Sequence, residues 1–303
     1  MNSFRGIIIA IISAAIFGLY PPTAKLAYAD GANATFMILA TTFCRAISLS
    51  IYCLVKGQRI LPTAGKFGSV FKGGFFQALS IFGIIASLVF LPGPVMIIIM
   101  FSHTIMLLFY LAYKREILLT PVTVCSTLCA LLGLSFVLDV WSQDSNLSLI
   151  GIALAFTAAV ATMSRLYIFG KLTLELPPAV VGAQTFTMAF IFTLLLMFFE
   201  MPMAPETSEG FFWAFICCAS LSTATFGMFF GIALLGSFRW SLFVKCEPIF
   251  TAIFSVILLH EVLQLSQYFG MLLVLISLVS YQLLENRNKT VPAGLISTAP
   301  PVG

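Results

Sequence analysis

Glu247 is one of eleven acidic residues in the chain, and the one set in the interior of a long apolar stretch. A carboxylate so placed can take up and release a proton or a cation. Other polar groups stand in similar surroundings: Tyr20, Arg45, His103, Arg165 and Lys245. His103 has two readings, since an imidazole with an unperturbed pKa of about 6.5 can titrate during function or stay neutral and bond a backbone carbonyl. Lys245 and Glu247 are two residues apart, so on a helix they point roughly 200° apart and serve different neighbours. Glu247 reads either as the partner of Arg45 or Arg165 in a protein interior or as a carboxylate facing a solute. Lys245 reads as a cation reaching back to an interface or as a contact for an anionic group. Arg165, about a turn from the end of its stretch, reads as a cation that snorkels.

The elements that must hold these groups are membrane helices. With 60% hydrophobic and 9% charged residues, a compact monomer would not stay in water. Ten apolar stretches have the length that a bilayer core of about 30 Å requires. They run over residues 6–27, 34–55, 73–91, 95–113, 121–140, 149–169, 179–199, 211–235, 241–259 and 268–284. They lack the alternating polarity of barrel strands. The expected fold is an all-α integral membrane protein of ten transmembrane helices, built as two inverted five-helix repeats. Five crossings per half leave the second half upside down relative to the first, a construction common among secondary transporters.

Loop charge sets the expected orientation. With the N-terminus inside, eleven Lys and Arg residues fall on the inner side and only Lys25 on the outer, where it can snorkel. Both termini are then cytoplasmic, and the formal charge of +4 reflects topology rather than nucleic-acid binding. Arg5 before an apolar run resembles the start of a signal peptide, but the run continues to Lys25 and is too long for one. The expected organisation is one membrane domain over residues 1–285, with repeats at 5–140 and 149–285, and a flexible cytoplasmic tail at 286–303 that carries Pro292, Pro300 and Pro301. The Ser142 to Asn146 connection is too short to separate two domains.

Seven cysteines, all in apolar spans, read as small buried hydrophobes, and their spacing suggests no metal site. Sequons begin at Asn33 and Asn146. Trp240 and Trp141 fit interfacial anchors, and the small residues Ser13, Ala14, Gly18, Ser222, Ala224 and Gly227 suit close helix approach.

Sliding the chain against itself by 145 residues lays Glu116 on Glu261 and His103 on Pro248, and a shift of 146 lays Lys25 on Lys171. Prolines give a separate pointer. Tyr20-Pro21-Pro22 interrupts the first span, Pro92-Gly93-Pro94 makes a tight turn before the fourth, and Pro248 loosens the start of the ninth. Freed carbonyls at such places are tolerated where protein or a cavity satisfies them. The first, fourth and ninth spans are therefore expected to line a pathway, with Tyr20, His103 and Glu247 nearest a solute.

The run Cys246-Glu247-Pro248-Ile249-Phe250-Thr251-Ala252-Ile253, then His260-Glu261, Gln267 and Gly270, resembles the second repeat of EamA-type transporters in the drug/metabolite transporter superfamily. Gly18 with Lys25, and Arg45 early in the second span, are similar to that family's first repeat. The first copy departs from the pattern, with His103 in place of a proline, Lys114-Arg115 before Glu116 and Cys125 at the glycine position. The resemblance covers about residues 5–285. It implies a ten-helix carrier with a central cavity that moves small metabolites, often amino acids or related compounds, outward by alternating access.

No phosphate loop, Asp-rich pair or His-Glu-x-x-His motif is present, which argues against an enzyme. The alternatives are a polytopic membrane enzyme or a nontransporting sensor. The expected substrate site is Tyr20, Arg45, His103, Lys245 and Glu247, with no cofactor. The expected partners are a small-molecule substrate and the lipid bilayer, with protons as the candidate coupling ion, in a monomer or homodimer. The expected location is the cell membrane, in bacteria the inner membrane.

Overall fold

The computed structural model describes residues 2–62, 64–142 and 148–290, and every regular element among them is helical. Asp144, the sequon at Asn146 and the tail prolines lie outside the described residues. The first span is split into α1 (Asn2–Gly18) and α2 (Tyr20–Ala29), followed by α3 (Ala34–Val55) and α4 (Ala64–Leu88). The fourth span is α5 (Gly93–Phe101) with α6 (His103–Tyr113), and the fifth is α7 (Pro121–Val137). The second half contains α8 (Leu149–Leu172), α9 (Pro178–Thr193) and α10 (Ser208–Leu235). Its ninth span is α11 (Ser237–Phe243), a tight turn at Val244–Cys246 and α12 (Glu247–Leu259); α13 (Leu265–Thr290) is the last.

Helix is the form that lets an apolar stretch satisfy its own backbone in lipid. Among the described residues nine spans are long and apolar enough to cross a membrane. The fifth is shorter, 17 residues, and ends before the expected Val140. Asp139 stops it by adopting a left-handed backbone (φ 50°), with its N–H on the Phe136 carbonyl at 3.1 Å. At the N-termini, Asn33, Thr120 and Thr207 cap α3, α7 and α10 by accepting from Phe36, Thr123 and Gly210 amides. Asn33 also donates from its side-chain amide to Met201 O at 2.7 Å, so the nitrogen a glycan would need is engaged.

The outer surface is apolar, with Phe212, Ile253 and Leu272 exposed, while Thr42, Thr104 and Thr225 are fully buried. That distribution suits lipid as solvent. Helices approach through small residues. A methyl group on Gly227 of α10 would run into Ser13 Oγ of α1, and one on Gly133 of α7 would lie 2.8 Å from Val274 N of α13. The main packing partners are α1 with α10, α4 with α8, α3 with α9, and α7 with α13. Two expectations about individual residues fail. Trp240 is 2% exposed, wedged against Gly231, because α11 turns it inward rather than to the interface. Cys125 is exposed on the outside of α7 rather than buried.

At the end holding Asp30, loops from the two halves are clasped. Asp30 accepts from the Thr207 amide (2.8 Å) and hydroxyl (2.9 Å), and its carbonyl accepts from Glu206 N (2.9 Å). The Thr207 amide, helped by the Thr207 hydroxyl and the Glu206 amide, holds the Asp30 carboxyl below the usual carboxylate range.

Candidate functional site

Among the described residues three spans are broken near their middles, the first at Leu19, the fourth at Ser102 and the ninth at Val244–Cys246. The break in the fourth span has no proline. It sits 145 positions before Glu247, the first residue of α12, so the two breaks match in register. They also touch. Ending α5 at Phe101 frees that residue's carbonyl, and Lys245 Nζ donates to it at 3.2 Å while lying 4.6 Å from the Phe101 ring centroid. His103, first residue of α6, uses another carbonyl of the same helix end, with Nδ1 donating to Met100 O at 2.8 Å. The expected bond to a backbone carbonyl is present, and an imidazole in either protonation state can make it.

Lys245 does not snorkel. Because α11 starts at Ser237, ahead of the expected boundary, the lysine is carried into the bundle and is 0% exposed. Arg45, midway along α3, folds back one turn: Nε donates to Thr41 O (3.2 Å) and Nη2 to Thr41 Oγ1 (3.4 Å). Its guanidinium lies 5.1 Å from the Phe186 ring centroid. Tyr20 opens α2 and packs among Ala24, Met37 and Cys217.

Arg165 is the residue misread from the sequence. It stands seven residues before the end of α8, which at 1.5 Å per residue is roughly 10 Å along the axis, too deep for an easy reach to water. Its Nε is buried with no hydrogen-bond acceptor. It interacts electrostatically with Arg45, Glu247 and His103, while His103 also feels Lys245, and Tyr20 feels Arg45. The five expected site residues and Arg165 thus converge from the first, second, fourth, sixth and ninth spans. Glu247 faces Arg165 without a direct ion pair, and two residues away Lys245 faces Phe101, so the two serve different neighbours. Tyr20, Arg45, Arg165 and Glu247 are each partly exposed although other groups surround them.

Two ion pairs tie a glutamate just past a broken span to a lysine near the end of another span. Lys25 of α2 meets Glu261 after α12 at 2.7 Å, and Lys171 of α8 meets Glu116 after α6 at 2.8 Å. Each glutamate follows a residue with left-handed backbone, His260 (φ 55°) or Arg115 (φ 58°). A cavity of about 540 Å³ lies beside the second pair, lined in part by Thr120, Tyr167, Ser237 and Arg239. It does not coincide with the buried charges. We place the candidate site at the charges, because ionisable groups at that depth are costly and mark function, whereas the cavity is framed by ordinary helix-end residues.

Residues 149–281 match the family described as EamA-like transporter family. No curated protein matches the chain. Its fold is similar to that of a solved structure described only as "Crystal structure of protein", at 16% identity and a TM-score of 0.77 over 93% of this chain and 99% of the other. Members of the matched family are transporters, not enzymes. The EamA-like match over residues 149–281, in a multi-pass bundle of apolar helices, supports an EamA-type transporter of the drug/metabolite transporter superfamily.

Proposed function

We propose that the chain is a secondary transporter of small metabolites, exporting amino acids or related compounds from the cell by alternating access. The observation that carries the reading is the meeting of three broken spans at one cluster of ionisable side chains, Tyr20, Arg45, His103, Lys245 and Glu247, joined by Arg165. Interrupted helices supply half-helix ends and free carbonyls at the depth where a carrier binds its solute.

The same reading takes residues 1–285 as one membrane domain of two inverted repeats, 5–140 and 149–285, with 286–303 as a cytoplasmic tail. Packing supports the duplication. Adding five to the span numbers of the first-with-eighth contact returns the sixth-with-third contact, and the second-with-seventh and fifth-with-tenth contacts map onto themselves. The ion pairs obey the same rule, since Lys25–Glu261 and Lys171–Glu116 exchange places. In inverted halves these pairs lie at opposite faces, where each clasps one end of a pathway and opens in turn. Lysine and arginine cluster on one side, which supports cytoplasmic termini in a cell membrane, the inner membrane of a bacterium. Glu247 is the candidate proton-coupling group. The carrier acts as a monomer or homodimer.

Reconstitution into liposomes tests the reading. Saturable flux of a labelled metabolite, stimulated by unlabelled solute on the opposite side, is the expected result. Absence of such flux across a broad panel of amino acids and related metabolites would point to a sensor instead.

A further inference from the structure

The charges at the convergence of the broken spans do not balance. Arg45, Arg165 and Lys245 bring three positive charges, and Glu247 brings one negative. Among the described residues none of the three cations forms an ion pair with any carboxylate. Asp30, Glu116, Glu200 and Glu261 are tied up at the helix ends, with Thr207, Lys171, Thr35 and Lys25 in turn. A surplus of two positive charges at mid-span is expensive, and isolated charges in such surroundings persist where something balances them. Neutral neighbours satisfy part of two of the cations: Thr41 and Phe186 hold Arg45, and the Phe101 carbonyl and ring hold Lys245. These contacts fix positions without supplying negative charge. Arg165 Nε has no acceptor at all.

We propose that the solute itself completes the site: a small organic molecule of net negative charge, bearing a carboxylate or phosphate group that docks on the partly exposed Arg45 and Arg165, with the buried Lys245 adding its positive field from behind. Two guanidinium forks suit the planar oxygens of a carboxylate or the oxygens of a phosphate, and they bind such groups with charge-assisted hydrogen bonds. Phe186 packs against the Arg45 guanidinium, and the part of Arg45 and Arg165 that stays exposed is where the anion binds. Glu247, opposite Arg165, lowers the surplus without cancelling it, which favours a charged solute over its neutral amide. The inference rests on the transporter reading of this site and narrows it to anionic substrates.

Binding to the purified chain in lipid nanodiscs tests it, read as ligand-dependent thermal stabilisation with paired probes. Glutamate is compared with glutamine, succinate with succinamide, and 3-phosphoglycerate with glycerol; putrescine serves as a cation. At least one anion should bind about tenfold or more tightly than its uncharged partner, and whether glutamate and succinate or 3-phosphoglycerate does so distinguishes carboxylate from phosphate. Arg165→Gln or Arg45→Gln should reduce the anion to the level of the uncharged partner, while Lys114→Gln, an exposed cation elsewhere, leaves the preference intact. No anion bound more tightly than its partner, including no binding at all, overturns the inference, and so does a charge preference that survives in a folded Arg165→Gln protein. The probe comparison uses the unmutated chain and decides the matter even if a variant fails to fold. Counterflow of a neutral metabolite without anion preference would sink this inference alone, whereas anion binding without any counterflow would sink the transporter reading.

Discussion

Lys25 Nζ lies 2.7 Å from Glu261 Oε1, tying the end of the first span to the end of the ninth across 236 residues of sequence. Lys171 and Glu116 tie the sixth to the fourth in the same way at 2.8 Å. All four side chains are substantially exposed, between 30% and 66%. Exposed pairs contribute only about 0.2–1 kcal/mol to stability, so their effect should fall on the balance between open and closed ends. Glu261→Gln is expected to lower the Tm by no more than a few degrees (~2–4 °C per kcal/mol) yet change the rate of solute exchange several-fold. The charge swap Lys25→Glu with Glu261→Lys should restore exchange. A large loss of stability, with no recovery in the swap, would assign the pair a structural role instead.

Glu247→Gln removes the one carboxylate of the central cluster while keeping its shape. If protons couple through Glu247, the pH dependence of uptake by reconstituted protein disappears in this variant. Retention of the wild-type pH profile would reject coupling at this residue.

Close approach at Gly227 makes the contact between α1 and α10 sensitive to volume. Gly227→Ala places a methyl group against Ser13 Oγ, and overpacking of this kind costs about 1–3 kcal/mol. Adding Ser13→Gly should recover much of the loss, as measured by thermal unfolding in detergent. Additive destabilisation would mean that the helices have shifted and the contact is not the one described.

The clasp at Asp30 should respond to acid with a definite sign. Its hydrogen bonds to Thr207 lower the folded-state pKa below that of an unfolded aspartate, about 3.9. The contribution is therefore complete above the unfolded value and lost as pH falls through the folded one. Hydrogen exchange at the Thr207 amide should be constant from neutral pH down to about 4 once corrected for intrinsic rates, and accelerate below that. Asp30→Asn should show faster exchange at neutral pH. Equal protection in the variant and the parent would remove the carboxylate from the clasp.

The sequence by itself determined the membrane class, the number of spans to within the short α7, and the identity of nearly every ionisable group in the candidate site. Those properties are local: a run of apolar residues must become helix in lipid, and a charge inside one is conspicuous wherever it points. The proline breaks at Tyr20-Pro21-Pro22 and Pro248 were legible for the same reason. Tertiary structure alone decided the partnerships. Ser102 carries no helix-breaking signal, yet the fourth span breaks there, and the carbonyl that this frees at Phe101 receives Lys245 from 144 residues away. Arg165 was misread because its depth depends on where α8 ends, and Lys245 because its depth depends on where α11 begins. Helix ends shift by a few residues at little local cost, but each residue moves a side chain about 1.5 Å along the axis. Whether a cation reaches water or stays among buried neighbours is settled only when the spans pack.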